Sequence, residues 1–455
     1  MAVPFARSPL STTLPLPDSP DSTLNSPPTT RRLTLGCIAD DVTGATDLAT
    51  ALAQGGLRVL QVFGTDGVDT IPADRDVDAV VLALKTRSVP VEEAVSRSLR
   101  AFSQLSELGA ERFYFKYCST FDSTSDGNIG PVTEALMDAL GVRQTLYCPA
   151  FPEAGRTVFN GHLFVGQQLL HESPLKDHPL NPMTDASLIR HLQQQVSGAV
   201  GLLPHDVIDS GPDAIRSVLQ QLSKEGVQHV IVDTCHDQHL STISRVAGAM
   251  KLVTGGSGLA AFLPENYQSQ GLASTRSGAA KLPQVSGRAA VIAGSCSAAT
   301  VAQVADWKDT GLSWDVDVQA VMKDAEQQLQ QLTAWLADTE GRPVLICSSA
   351  TPERVSQLQT EFGATTVAHA LEDFLSRAAV LLASEYGVRR FVVAGGETSG
   401  AVTAALGVTA VRIGPNICPG VPWTESLQER PLALALKSGN FGDRQFFTQA
   451  LEMLP

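Results

Sequence analysis

The run Phe391–Ala401, FVVAGGETSGA, leaves the backbone few choices: a short apolar strand ends at two glycines and a helical pattern begins at once. Paired glycines let the main chain approach a ligand closely, and the unpaired amides of the following helix start offer donors and a partial positive charge. Gly395, Gly396, Glu397, Thr398 and Ser399 thus form a candidate phosphate turn, although any α/β domain also needs glycine where strands turn into helices. The same strand–turn–helix rhythm recurs along most of the chain. It predicts an α/β fold of two domains, each a mostly parallel doubly wound sheet flanked by helices.

A chain of 455 residues exceeds what one hydrophobic core usually supports, and Pro264–Pro283, rich in Ser, Gly and Gln, is the natural boundary. The expected division is a disordered tail over 1–32, a first domain over 33–263, a linker over 264–284 and a second domain over 285–455. The tail lacks the continuous apolar segment of a secretory signal. The apolar stretch behind Arg31-Arg32 is broken by Asp40 and Asp41, against a twin-arginine export signal. No apolar run approaches the ~20 residues that span a bilayer. A net charge of −14 disfavours nucleic acid and anionic membranes as partners, and the seven scattered cysteines fit reduced thiols in a cytoplasmic protein.

Chemistry-bearing residues collect at strand ends. Leu33–Ala39 reads as a strand running into Asp40, Asp41 and a Val-Thr-Gly start of a helix; one carboxylate suffices as a cap, so two invite a role toward a substrate or metal ion. Arg87 follows the strand Ala79–Leu84 and suits a forked grip on a carboxylate or phosphate, or equally a surface ion pair. Lys116 ends the next strand and opens a polar loop containing Asp122, Ser123 and Thr124, a donor and acceptor set suited to a polyhydroxylated acid. The irregular stretch from Pro149 carries Arg156 and His162, and a second proline-rich stretch carries Asn181 and Asp185; long loops of this kind often wall a substrate site. Val207–Asp209 continues the strand–helix rhythm, His236 and His239 read as solvated loop residues, and Gly414–Trp423 reads as a loop suited to covering a flat ring. In the second half, Gly294, Ser295 and Ser297 form another strand-end turn, and Gly439 lies in a third after Leu432–Leu436.

Taken together, DDVTGATD, KYCSTFDST, CPAFPEAGRTVFNGHLFV, HPLNPMTD, GSCSAAT, AGGETSGA and LKSGNFG resemble the four-carbon acid sugar kinase family over nearly everything after Arg32. Within it, GRTVFNGHLFV and HPLNPMTD are most similar to the 3-oxo-tetronate 4-kinases rather than the D-threonate or D-erythronate kinases. The resemblance implies a first domain that binds the sugar acid and a second that binds ATP, with Mg²⁺ assisting transfer to the terminal hydroxyl. It places Ser295, Ser297, Gly395 to Ser399 and Gly439 on ATP, Asp40 and Asp41 at the chemistry, and Arg87, Lys116, Asp122, Ser123, Thr124, Arg156, His162, Asn181 and Asp185 on the acid. The identity of the metal ligands stays open, as does assembly into a homo-oligomer. There is no GxxxxGK[ST] loop and no GxSxG elbow, and the relaxed dinucleotide pattern at Gly256 leads into the Pro264 linker instead of an acidic strand end. A nonenzymatic sugar-acid sensor would carry a DNA-binding or partner segment that the sequence lacks.

Overall fold

The computed structural model describes residues 33–72, 76–177, 181–273, 280–348, 357 and 360–454. The predicted tail, residues 274–279 of the predicted linker, His178 at the head of HPLNPMTD and Ser349 lie outside the described residues.

The first half contributes β1 (Leu35–Ala39), β2 (Val59–Phe63), β3 (Ala79–Ala83), β4 (Phe113–Lys116) and β5 (Thr145–Cys148). A small antiparallel flap follows, made of β6 (Arg156–Phe159), β7 (His162–Val165) and β8 (Gln168–Leu169), and then β9 (Ala199–Leu203), β10 (Val227–Val232) and β11 (Leu252–Gly255). The second half contributes β12 (Arg288–Ala293), β13 (Leu312–Asp315), β14 (Val344–Cys347), β15 (Val388–Ala394), β16 (Ala410–Cys418), β17 (Val421–Ser426) and β18 (Ala433–Lys437). Among the described residues, fifteen of these strands form one sheet in the order β13-β14-β12-β15-β18-β17-β16-β2-β3-β1-β4-β11-β5-β10-β9. The expected α/β architecture is present, and the two halves of the sheet are joined edge to edge where β16 pairs antiparallel with β2. Strands such as β1 (LGCIA) and β3 (AVVLA) are apolar at every position because helices cover both faces.

Both halves are wound alike. In the first, the order β2-β3-β1-β4 puts successive strands on one side of β1 and then the other; in the second, β13-β14-β12-β15 does the same around β12. Ligand crevices in such sheets open beyond the carboxyl ends of strands at the point of reversal. Those points are Asp40-Asp41 after β1 and Gly294–Ser297 after β12.

Several local expectations are corrected. Leu263–Ser269 is a helix with Tyr267 buried, so Pro264 occupies a first-turn position, where a missing N–H costs nothing, and does not open the linker. The stretch after Pro149 is the flap, turned at Asn160 and Gly161, both with positive φ. Val207–Asp209 belongs to the short helix His205–Asp209, and the strand of that unit lies earlier, at β9. Gly414–Trp423 pairs as β16 and β17 with Trp423 fully buried, its indole N–H donating to the Ala450 carbonyl, so it covers a core and not a flat ligand. His239 is likewise buried, on the helix Asp237–Ala247. Its Nδ1 accepts from the Cys235 N–H (3.2 Å) and its Nε2 donates to Asp209 (2.9 Å).

The entry edges of β2 and β3 are tied by a buried ion pair. Arg58 donates through Nε and Nη2 to the two oxygens of Asp78, each at 2.8 Å, and its backbone N–H adds a third bond at 3.0 Å. Replacing Asp78 by Ala removes the bidentate partner and leaves the buried guanidinium only its ion pair with the exposed Asp76. The expected loss is about 3–5 kcal/mol of stability, read as a lower urea midpoint at unchanged m.

Candidate active site

Asp40 ends β1, and its backbone carbonyl accepts from the Thr86 and Arg87 N–H groups at 2.9 and 3.2 Å, which fixes the turn after β3 against it. Arg87 then returns its side chain to the pair. Nε and Nη2 reach the two Asp40 oxygens at 2.9 and 2.8 Å, and Nη2 also reaches Asp41 Oδ1 at 2.6 Å. Asn128 holds the turn from the other side, donating from Nδ2 to the Thr86 and Val89 carbonyls at 2.7 and 2.9 Å. Its Oδ1 is buried without a hydrogen-bond partner, an acceptor that a substrate hydroxyl or a water would satisfy. Asp40, Arg87, Asp122, Ser123 and Asn128 line one narrow cavity.

Asp41 caps the helix Val42–Gln54 by accepting from the Gly44 N–H at 3.1 Å. Gly44 is required there by space: a Cβ would stand 2.3 Å from Asp41 Oδ1 and 2.9 Å from Lys116 Nζ. Lys116, also buried, donates to the Tyr117 carbonyl at 2.8 Å and adds its charge to the two carboxylates. The two acids are driven apart. Burial pushes the Asp40 carboxyl above its ordinary value against the pull of Arg87. Burial acts the same way on Asp41, but Arg87, Lys116 and the Gly44 N–H outweigh it and hold that carboxyl low. For Arg87 burial works against the charge, and the two carboxylates more than compensate, raising it further.

The remaining predicted residues of the first half are used unequally. Ser123 is buried, its hydroxyl accepting from Gln195 Nε2 at 2.8 Å; the Thr124 carbonyl takes another bond from the same amide, and Thr120 donates to Asp122 at 2.6 Å. Arg156 and His162 sit on the flap, Arg156 bonded to the Ala154 carbonyl and His162 Nδ1 to the Asn160 carbonyl at 2.8 Å. Asn181 is buried. Asp185 is committed to its chain neighbours, the Ser187 N–H at 2.9 Å and Arg190 Nη2 and Nε, on the helix Leu188–Gln193, at 2.7 and 2.9 Å.

In the second half the three glycine turns become neighbours. β12, β15 and β18 are adjacent parallel strands whose last residues are in register, Ala293 opposite Ala394 and Ala394 opposite Lys437. Backbone bonds then link the turns themselves: Gly294 and Ser295 N–H to the Ala394 carbonyl, and Gly395 N–H to the Lys437 carbonyl. Gly395 has φ 129° and caps the helix Gly396–Ala405 with no side-chain bond, so its first-turn amides stay available to an anion. Gly439 fits against Ser295 and Ser297 so tightly that a Cβ would fall 2.3 and 2.8 Å from their hydroxyls. Thr398 is buried, and a Cβ on Gly294 would meet its hydroxyl at 2.2 Å.

The two sets of turns meet: a Cβ on Gly396 would lie 3.9 Å from Thr43 Oγ1, two residues past Asp41. Beside that contact a cavity of about 660 Å³ separates the halves, with Lys85, Arg97 and Arg100 on one wall and Gly400 and Thr403 on the other. Two residues of this region carry no sequence signal of their own. Asn128 is one polar residue in a polar loop, and Lys437 is the fully buried terminus of an apolar strand.

Residues 35–263 match the sugar-binding N-terminal domain family and residues 290–447 the nucleotide-binding C-terminal domain family. The chain is 49% identical to a 3-oxo-tetronate kinase of Burkholderia multivorans over 92% of its length and 97% of the relative's. It is 50% identical, with the same coverage, to one of Pseudomonas fluorescens. The chain belongs to the four-carbon acid sugar kinase family. Among solved structures, a Salmonella typhimurium LT2 protein bearing a provisional tRNA synthase designation matches with a TM-score of 0.86 at 43% identity, over 92% of this chain and 99% of that one. A Haemophilus influenzae protein matches with a TM-score of 0.80 at 41% identity, over 92% and 100%. Among the described residues of this family member, no helix is long and apolar enough to cross a membrane.

The opposed carboxyl shifts give a stability test. A carboxyl held low in the folded chain contributes stability that is complete above its unfolded pKa and is lost as pH falls through the folded value. Wild type should therefore melt above Asp41→Asn at pH 6, and the gap should narrow as pH falls below about 4 in a series of thermal melts.

Proposed function

We propose that the chain is an ATP-dependent kinase acting on a four-carbon sugar acid, 3-oxo-tetronate, and that it phosphorylates the terminal C4 hydroxyl. The observation that carries this reading is the meeting of two strand-end sites, the Asp40-Asp41 turn of one half and the Gly396 turn of the other, beside Thr43. The relatives named 3-oxo-tetronate kinase supply the substrate. The tRNA synthase designation of the Salmonella structure is not carried over, because a net charge of −14 opposes binding to RNA.

In this reading the first domain (33–263) holds the acid and the second (285–455) holds ATP. The Gly395–Ser399 amides and hydroxyls face the transferring phosphate, with Ser295, Ser297 and Gly439 shaping the neighbouring turns. The C4 oxygen forms a bond to the γ-phosphorus, the bond from that phosphorus to the β,γ-bridging oxygen breaks, and ADP leaves. The hydroxyl proton passes to Asp41. Asp41 suits this task better than Asp40, because both Asp40 oxygens are filled by Arg87 whereas Asp41 Oδ2 receives only the Gly44 N–H. Asp40 then acts by orienting Arg87, and Arg87 and Lys116 stabilise the transferring charge. Asp122, Ser123 and Asn128 address the substrate hydroxyls, and the flap with Arg156 and His162 forms the far wall.

Glu397, in the first turn of the helix Gly396–Ala405, lies against Glu372, and this carboxylate pair offers the hard oxygen donors that would hold Mg²⁺ beside the nucleotide. Bound there, Mg²⁺ would neutralise charge on the nucleotide phosphates.

Incubation with ATP, Mg²⁺ and a panel of C4 sugar acids should release ADP fastest with 3-oxo-tetronate; no release with any acid overturns the reading. Asp41→Asn should lower kcat by about 10²-fold or more with little change in the KM for the acid. Asp40→Asn, by freeing Arg87, should change both constants. Near-normal turnover in both folded variants would remove the two carboxylates from the chemistry.

A further inference from the structure

Lys437 ends β18 and is 1% exposed, a rare place for an ammonium. It is held by two bonds, to Thr300 Oγ1 at 3.1 Å and to the Gly439 carbonyl at 3.0 Å, and its ammonium stands 5.8 Å from the centre of the Phe446 ring. The same carbonyl also accepts from Ser297 Oγ at 2.6 Å and Thr300 Oγ1 at 2.9 Å. Three donors thus converge on one backbone oxygen. One turn further along the helix Ala298–Lys308, Gln303 Nε2 reaches the Phe441 and Asp443 carbonyls at 3.0 and 2.8 Å.

In a trans peptide the C=O and N–H point in opposite directions. With the Gly439 oxygen drawn inward, the Asn440 N–H faces outward, away from the buried donors. We propose that Lys437 is the positioning residue of the nucleotide site: by holding the Gly439 carbonyl inward it fixes the third glycine turn in the shape that presents backbone N–H to the nucleotide phosphates. Its charge also lies directly beneath that turn. This inference rests on the kinase reading and concerns only its ATP half.

A neutral residue of the same length would fill the space, so the ammonium needs its own explanation. Burial lowers the Lys437 amine to about 8, against which the facing Cys418 acts weakly in the other direction. Asp443, beyond the turn, acts on Cys418, whose thiol is itself pushed up by burial. A phosphate arriving over the turn favours the charged amine, so nucleotide binding near pH 8 draws in a proton, and affinity falls as pH rises through that value.

The test is calorimetric titration of the full-length protein with a nonhydrolysable ATP analogue and Mg²⁺ at pH 8, in two buffers of different ionisation enthalpy. Wild type is expected to take up a substantial fraction of a proton per nucleotide. Lys437→Met is expected to take up none, to bind about tenfold or more weakly, and to melt no lower than wild type, because a buried charge has been removed. Weakening should appear in the KM for ATP and not in the KM for the acid. Nucleotide binding by wild type without proton uptake overturns the proposal whether or not the variant folds, and so does a variant that binds with wild-type affinity. A wild-type protein that binds no nucleotide overturns the kinase reading instead.

Discussion

The joint between β16 and β2 decides what the rest of the molecule can do. With the antiparallel pairs β16–β17 and β17–β18 it makes three reversals of direction, an odd number, which in a flat sheet would send the carboxyl ends of the two parallel sets to opposite edges. Sheets are not flat. From β1 to β15 the strand order runs through β3, β2, β16, β17 and β18, six steps in all. At roughly 20–25° each, the accumulated twist is about 120–150°, enough to bring the two sets of strand ends back toward each other. The helices starting at Val42 and Gly396 then meet over the joint, with Thr43 beside Gly396. Two helix N-termini and two strand-reversal points therefore face one space, which is the geometry a transfer between two bound ligands needs.

That space is built for anions on a protein that is acidic overall. The net charge of −14 is spread over the surface, whereas Arg87, Lys116 and Lys437 are concentrated and largely withdrawn from water at the strand ends. Charges in that setting are weakly screened, so a few local cations outweigh many distant carboxylates. Asp40 and Asp41 prevent these cations from simply repelling one another. They also divide their labour through burial: the acid shut behind Arg87 is raised, and the one at the helix start stays ionised.

Much of this was legible in the sequence because strand ends advertise themselves. Asp40-Asp41, Gly395-Gly396 and Gly439 each break an apolar run, and the structure places each at the carboxyl end of a parallel strand. What stayed hidden depended on contacts far apart in the chain. Lys437 looks like the first polar residue after a strand, and only the distant Thr300 reveals that it points inward. Asn128 matters through the Thr86 and Val89 carbonyls some forty positions earlier. The flap and the β16–β17 pair were missed because glycine and proline, which form tight hairpin turns and bulges, read equally well as loop. His239 was misjudged for another reason: the groups that hold it, Asp209 and the Cys235 backbone, leave no periodic trace in the sequence.

The two sites also solve one electrostatic problem in opposite ways. An ammonium or guanidinium taken out of water is costly unless its donors are met. Around Arg87 they are met by formal negative charge, which leaves the group strongly ionised and insensitive to pH. Around Lys437 they are met by a hydroxyl and a carbonyl, neutral groups that compensate less, so the amine stays poised near neutrality. A cation of the first kind suits a position that must keep its geometry through every turnover. One of the second kind is completed by an incoming anion, and so it couples the shape of the third glycine turn to the presence of a phosphate above it.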